Sequence, residues 1–253
     1  MHALITGASS GIGEALAREF AKAGWSLTLA ARREDRLKAL AGELKAPSFV
    51  RPSDLSRLDQ CGPLWHEAEA ALGPVDLLIN NAGIQYVEPT VGVSDERAEA
   101  LMTVDVLAPM RLARLAVGSM LERKRGSIVN IASVAAINPT PGMYHYNAAK
   151  AALAASSESL RVELRGTGVS VVTVYPGPVS SEMEAAARAS FEPSAATRNI
   201  PTGSAEGLAQ KVRRAVERDE ARVVYPAFYN LSRHFRLTSQ WATDTFTPPL
   251  KKG

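Results

Sequence analysis

Tyr146 and Lys150 stand four residues apart in Tyr146-Asn147-Ala148-Ala149-Lys150, and the Ala-rich run from Ala148 to Ala155 predicts that this segment is a helix. At that spacing the two side chains meet on one face. A phenol titrates near ~10 in water, so it exchanges protons poorly at neutral pH unless something favours its anion, and an ammonium one turn away does so. Ser133 follows the apolar run Ser127-Ile128-Val129-Asn130-Ile131-Ala132, which reads as a buried strand, and its hydroxyl is expected in the same space. Taken alone, a Tyr four residues before a Lys is more simply a half-buried ring beside a solvated charge. The rest of the chain reverses that preference.

A second constellation lies at the start. Thr6-Gly7-Ala8-Ser9-Ser10-Gly11-Ile12-Gly13 follows an apolar strand and opens a helical stretch. Glycines at 7, 11 and 13 let the backbone turn sharply and approach a pyrophosphate, while the helix amino end offers unpaired N–H groups and a partial positive charge. Asn80-Asn81-Ala82-Gly83 closes another buried strand.

The elements that position these residues alternate. Strands are predicted at 3–6, 26–31, 48–50, 75–80, 127–133, 169–175 and 222–225. Helices are predicted at 11–23, 34–44, 58–72, 95–123, 143–165 and 204–218. Strands apolar on both faces, separated by helices, predict an α/β fold: a doubly wound parallel sheet of about seven strands with helices on both faces. Ligands of such sheets bind beyond the carboxyl ends of the strands, where strand order reverses. No internal repeat or linker interrupts the pattern.

With the glycine turn, Asn80-Asn81-Ala82-Gly83, Ser133 and Tyr146-x-x-x-Lys150 in this order, the chain resembles the short-chain dehydrogenase/reductase family in its single-domain form, from about Ala3 to about Tyr225. The resemblance implies a Rossmann-like catalytic domain over residues 1–225, with residues 226–253 as an extension. It implies an oxidoreductase moving a hydride between a nicotinamide cofactor and a carbonyl or secondary alcohol. Tyr146 is then the proton donor, Ser133 steadies the substrate oxygen, and Lys150 lowers the phenol pKa and holds the nicotinamide ribose. Gly7, Ser9, Ser10, Gly11, Ile12 and Gly13 carry the cofactor phosphates. Asp54 and Leu55 meet the adenine, Asp54 alternatively capping a helix. Asn81, Ala82 and Gly83 pass near the ribose and support the sheet. Pro176, Gly177, Val179 and Ser181 flank the nicotinamide, Ser181 replacing the family's Thr. A nucleotide-binding sensor or assembly partner with weak or no turnover is the alternative. No metal is implied.

Cofactor choice is read at the end of the second strand. An acidic residue is expected there for NAD, to accept from the ribose hydroxyls. This chain has Ala31-Arg32-Arg33 instead. A guanidinium pairs with a 2′-phosphate through a planar fork, so NADP (NADPH) is preferred over NAD, with Arg32 as the expected contact, Arg33 beside it, and Ser9 and Ser10 adding hydroxyls.

One departure concerns Thr103-Val104-Asp105-Val106, where the family often has an Asn in a tetrad with Ser, Tyr and Lys. Either Asp105 serves a proton relay, or the relay is altered and turnover lower, or Asp105 is simply a polar helix residue. Residues Glu182 to Gly203 read as a loop that covers the substrate, since loops this long in compact domains are functional or mobile. The tail carries Phe228, Tyr229, Leu231, Phe235, Leu237, Trp241 and Phe246, too apolar for a free linker, and is expected to fold over that lid or a neighbouring subunit.

Composition limits the other classes. Hydrophobic residues at 46% with 22% charged describe an ordinary globular chain, and a net charge of +3 is too small to argue for nucleic acid. The basic excess at Arg222, Arg233, Arg236, Lys251 and Lys252 reads as a solvated tail. No apolar run is long enough to span a bilayer. The first strand begins at once, so no signal sequence is expected, and lone Cys61 has no disulfide partner; both point to the cytoplasm. The long helix before Ser133 and the one carrying Leu153, Leu160 and Leu164 are the faces through which the family associates, so a homodimer or homotetramer is expected. Tyr86, Asn138, Met143, Tyr144 and Met183 suggest a small, partly apolar substrate.

Overall fold

A computed structural model describes residues 1–194 and 200–251, apart from the side chain of Arg233. Residues 195–199 of the expected lid and Lys252 of the basic tail lie outside the described residues. Strands β1 (His2–Thr6), β2 (Ser26–Ala31), β3 (Ser48–Pro52), β4 (Leu77–Asn80), β5 (Gly126–Ile131), β6 (Val169–Pro176) and β7 (Arg222–Tyr225) form one sheet in the order β3-β2-β1-β4-β5-β6-β7. Every neighbouring pair is parallel.

Register explains why these strands read as continuous apolar runs. Leu4, Leu78, Ile128 and Val171 are paired across four strands and face one layer of helices. The adjacent row, Ile5, Ile79, Val129 and Val172, faces the other. Alternate residues serve opposite cores, so no position in the central strands is free to be polar without a partner. On one side pack α1 (Gly11–Lys22) and α2 (Glu34–Glu43), with Leu208 and Val212 of α8 (Ala205–Glu217) closing the layer. On the other lie α3 (Cys61–Leu72), α5 (Ala108–Arg123) and the carboxyl end of α6 (Tyr144–Glu163), through Trp65, Leu112, Met120 and Leu160. This is the doubly wound architecture expected from the alternation, and strand order reverses between β1 and β4.

Several boundaries differ from expectation for identifiable reasons. The expected single helix 95–123 is α4 (Asp95–Met102), a π-helical turn at Thr103–Leu107, then α5. Pro109 lies four residues after Asp105, so it supplies no N–H for the α-helical bond to the Asp105 carbonyl and its ring crowds that carbonyl. The extra residue accommodated by the π turn turns Asp105 inward, where it is fully buried. The helix expected from Leu58 begins at Cys61 after a 3-10 turn, and Cys61 is buried in the core. Burial pushes its thiol up, away from nucleophilic reactivity. The expected lid loop opens with a helix, α7 (Glu182–Ala189), because the Ser181 hydroxyl accepts the Glu184 N–H and an Ala-rich run follows.

The tail forms α9 (Asn230–His234) and α10 (Arg236–Phe246) and lies against this chain's own loops. Asn138 donates to Thr243 at 2.5 Å, and Phe191 pairs with Leu250 in a β-bridge. Tyr229 covers Gly177 so closely that a Cβ there would lie 2.6 Å from the ring. Burial pushes the Tyr229 phenol up to about 12.

Candidate active site

Strand β1 delivers Thr6 to the carboxyl end of the sheet, where its hydroxyl accepts the backbone N–H groups of Asn81 and Ala82, each at 3.0 Å. The Asn81 side chain returns a bond to the Thr6 carbonyl at 3.0 Å. The glycine turn and the end of β4 are thereby locked together at the switch point. Gly7 has φ +67°, and a Cβ there would lie 2.8 Å from Ala82 Cα. A Cβ on Gly13 would lie 2.2 Å from the Gly7 carbonyl oxygen, so the turn closes only on glycine. Ser10 precedes α1 without capping it by side chain, which leaves the first-turn amides of Gly11, Ile12 and Gly13 directed outward. Unsatisfied donors at a helix amino end, beside a turn that closes only on glycine, fit a pyrophosphate.

At the end of β2 the two arginines part. Arg33 turns back over the glycine loop and donates to Ser10 Oγ at 2.6 Å and to Ser9 Oγ at 3.1 Å. Arg32 is exposed, and among the described residues it makes no hydrogen bond or ion pair. Geometry therefore favours Arg33 over the expected Arg32 as the contact beside Ser9 and Ser10. Arg36, which sequence reasoning missed, joins Arg33 at Glu182 of α7. Its spacing of three residues from Arg33 was the available signal.

Beyond the carboxyl ends of β4, β5 and β6 the remaining residues converge. Ser133 begins a 3-10 turn after β5, accepting the Ala135 N–H at 3.1 Å and donating weakly to the Pro176 carbonyl at 3.4 Å. Tyr146 and Lys150 are both buried on one face of α6, the Lys150 Nζ 5.6 Å from the Tyr146 ring centroid. Lys150 donates to the Ile131 carbonyl at 3.2 Å and forms an ion pair of 3.0 Å with Asp105 Oδ2. The other carboxylate oxygen accepts the Ile84 N–H at 2.8 Å. Gly83 borders the pair, and a Cβ there would lie 3.0 Å from Asp105 Oδ2. Asp105 is thus part of the cluster and no incidental helix residue.

The electrostatics departs from the simplest expectation. Burial pushes the Tyr146 phenol up; Lys150 pulls it down, Asp105 pushes it up, and Ser133 pulls it down, leaving it above its ordinary value. Burial pulls Lys150 down, but Asp105 and Tyr146 outweigh this and hold it above the usual lysine range. Burial pushes Asp105 up against the pull of Lys150 and the Ile84 N–H. The upward direction for the acid and that for the base oppose one another within a single pair. With the Lys150 ammonium 3.0 Å from one oxygen and the Ile84 N–H donating at 2.8 Å to the other, the ionised carboxylate is the state the geometry supports.

Other expected residues sit nearby with different engagements. Asp54 accepts from the Ser56 N–H and hydroxyl at 3.0 and 2.8 Å, an Asx-type turn in place of a helix cap. Leu55 is buried. Ser181 is engaged as the α7 cap. Val179 is buried and bridges Gly203, and Pro176 ends β6.

The model of the family described as short chain dehydrogenase matches residues 1–191. The chain belongs to the short chain dehydrogenase family. A short chain dehydrogenase of Pseudocercospora fijiensis is 42% identical over 191 residues, a match covering 72% of this chain and 61% of that protein. The 3-oxoacyl-acyl-carrier-protein reductase of Rickettsia bellii is 32% identical, over 85% of this chain and 86% of its own length. A solved short-chain dehydrogenase from Sphingobium yanoikuyae in complex with NADPH has a TM-score of 0.81 at 28% identity, covering all of this chain and 98% of its own. An oxidoreductase fold of the short chain dehydrogenase type, built to receive a nicotinamide cofactor, is therefore established for this chain. No helix among the described residues is long and apolar enough to cross a membrane.

Proposed function

We propose that this short chain dehydrogenase is an NADP(H)-dependent oxidoreductase acting on the carbonyl or secondary alcohol of a small, partly apolar substrate. The observation that carries the proposal is the cluster of buried Tyr146, Lys150 and Asp105 with half-buried Ser133, beside the glycine turn at the carboxyl ends of the strands. The chemistry a nicotinamide would supply, if bound there, is hydride transfer to the carbonyl carbon. Tyr146 gives its phenolic proton to the carbonyl oxygen, and a phenol held protonated by burial suits donation. Ser133 donates a hydrogen bond to the same oxygen, stabilising the charge that develops on it. Lys150, fixed by Asp105 and the Ile131 carbonyl, keeps a positive charge beside the phenol and offers a remaining proton to the nicotinamide ribose.

Arg33, with Ser9 and Ser10 in its reach, supports NADP over NAD, as does Ala31 where an acidic residue would serve NAD. Ile84, Tyr86 and Met143 pack against the apolar cluster that includes Tyr146, which supports a partly apolar substrate. Exposed Leu107 of the π turn, Met110 and Leu121 of α5 and Val162 of α6 support a homodimer or homotetramer, and a cytoplasmic setting agrees with the free, buried Cys61.

One observation favours a second reading. The Asp105 carboxylate neutralises much of the Lys150 charge, as a protein that binds the dinucleotide but turns over little would tolerate. NADPH titration followed by a carbonyl panel separates the two. Tight binding with turnover supports the oxidoreductase, and tight binding with no turnover on any member supports the sensor.

A further inference from the structure

Glu182 is the first residue of α7, and its carboxylate joins two arginines that are distant in sequence. Oε1 lies 2.9 Å from Arg36 Nη1, and Oε2 lies 3.4 Å from Arg33 Nη1. The other nitrogens of Arg33 are spread over the hydroxyls of Ser9 and Ser10. Two guanidinium groups meeting on one carboxylate, one of them also bonded to two neighbouring hydroxyls, form the donor set that a phosphate monoester would draw on. An acidic side chain of the lid therefore holds the charges that the cofactor's 2′-phosphate needs.

We infer that Glu182 is an internal competitor for the 2′-phosphate: binding of NADP(H) displaces it from Arg33 and Arg36, releasing the amino end of α7, whereas NAD(H) leaves it in position. The inference rests on the proposed NADP(H) reading and adds a residue that tunes cofactor choice. The contact is weak enough to be displaced. Glu182 is 67% exposed, with Arg33 and Arg36 at 41% and 45%, so water and salt screen the pairs. A phosphate monoester brings nearly two charges and three acceptor oxygens against one charge and two oxygens. Both arginines hold the Glu182 carboxyl below its usual range, Arg36 first, so the competitor stays ionised at neutral pH. The coupling to the lid is geometric. Ser181, which caps α7, faces Gly11 of the glycine turn, where a Cβ would lie 3.4 Å from Ser181 Cβ, and the far end of α7 leads to Phe191 and its bridge to Leu250.

The test uses 2′,5′-ADP and 5′-ADP as probes of the adenosine end alone, titrated calorimetrically into the full chain and into Glu182→Gln. The substitution keeps the size of the side chain and is on the surface, so folding is preserved. Glu182→Gln should tighten 2′,5′-ADP by about two- to five-fold, the range of an exposed ion pair, and leave 5′-ADP unchanged. Hydrogen exchange in the wild type should quicken across 182–189 with 2′,5′-ADP and not with 5′-ADP. Equal tightening of both probes, or unchanged or weaker binding of 2′,5′-ADP, overturns the inference while leaving the cofactor reading intact. A wild type that binds neither probe overturns the cofactor reading and the inference with it.

Discussion

Replacing Asp105 by Asn removes one charge from a buried pair and keeps an oxygen for the Ile84 N–H. At the observed 3.0 Å, two unit charges attract by about 5 kcal/mol at an effective dielectric constant of ~20. Part of that is offset by the desolvation the carboxylate no longer suffers, and breaking one partner of a buried pair costs about 3–5 kcal/mol. For a chain of this size each kcal/mol lowers Tm by roughly 2–4 °C, so Asp105→Asn should melt roughly 6–20 °C below the wild type at neutral pH. Asp105→Ala should melt lower still, because the Ile84 N–H bonded at 2.8 Å loses its acceptor, a further loss of about 1–3 kcal/mol. The pH dependence has a definite sign. Lys150 is held above its ordinary value, so the stability it contributes is complete below that ordinary value and is lost as pH rises through the raised one. The wild type should therefore lose stability on the alkaline side as Lys150 deprotonates, and Asp105→Asn, which removes the largest raising influence on Lys150, should shrink that loss. The same carboxylate holds up the Tyr146 phenol, so the alkaline limb of the reduction rate should move to lower pH in the variant. Scanning fluorimetry across pH, with the rate profile of the same variant, is the assay. A melting point within ~2 °C of the wild type, or an alkaline limb that does not move, would refute the ion-pair account.

Gly13→Ala forces a Cβ to 2.2 Å from the Gly7 carbonyl oxygen, so it should cost about 1–3 kcal/mol and abolish NADPH binding, read by melting and by fluorescence titration. An unshifted melting point with normal binding would mean the turn is looser than described. Arg33→Met should lower NADPH affinity about ten-fold or more and change NADH affinity little, whereas Arg32→Met should alter neither strongly. The reverse order in direct binding would return the phosphate contact to Arg32.

The sheet was legible because its strands carry β-branched and apolar residues on both faces, as the paired rows through Leu4 and Ile5 require. The glycine turn and the Ser133, Tyr146 and Lys150 set were legible because each is a local pattern anchored to the end of an element. The π turn needed two residues read jointly: Pro109 denies Asp105 its α-helical partner, and neither position signals this alone. Which of two adjacent arginines turns inward depends on where α2 begins, and Arg33, as the residue just before the helix, points back over the loop. Glu182 and Arg36 are 146 positions apart, and only tertiary packing brings them together. The net direction of the Tyr146 shift also escaped pairwise reasoning, because burial and the Asp105 charge outweigh the lysine beside it.

The most direct measurement is consumption of NADPH with a panel of carbonyl substrates by the wild type and by Tyr146→Phe, each first shown by titration to bind NADPH. The wild type should oxidise NADPH on at least one substrate, and the variant should bind the cofactor equally well while its turnover falls by about 10²–10⁴-fold, the usual contribution of a positioned acid. Undiminished turnover in Tyr146→Phe would contradict the assignment of Tyr146 as the proton donor.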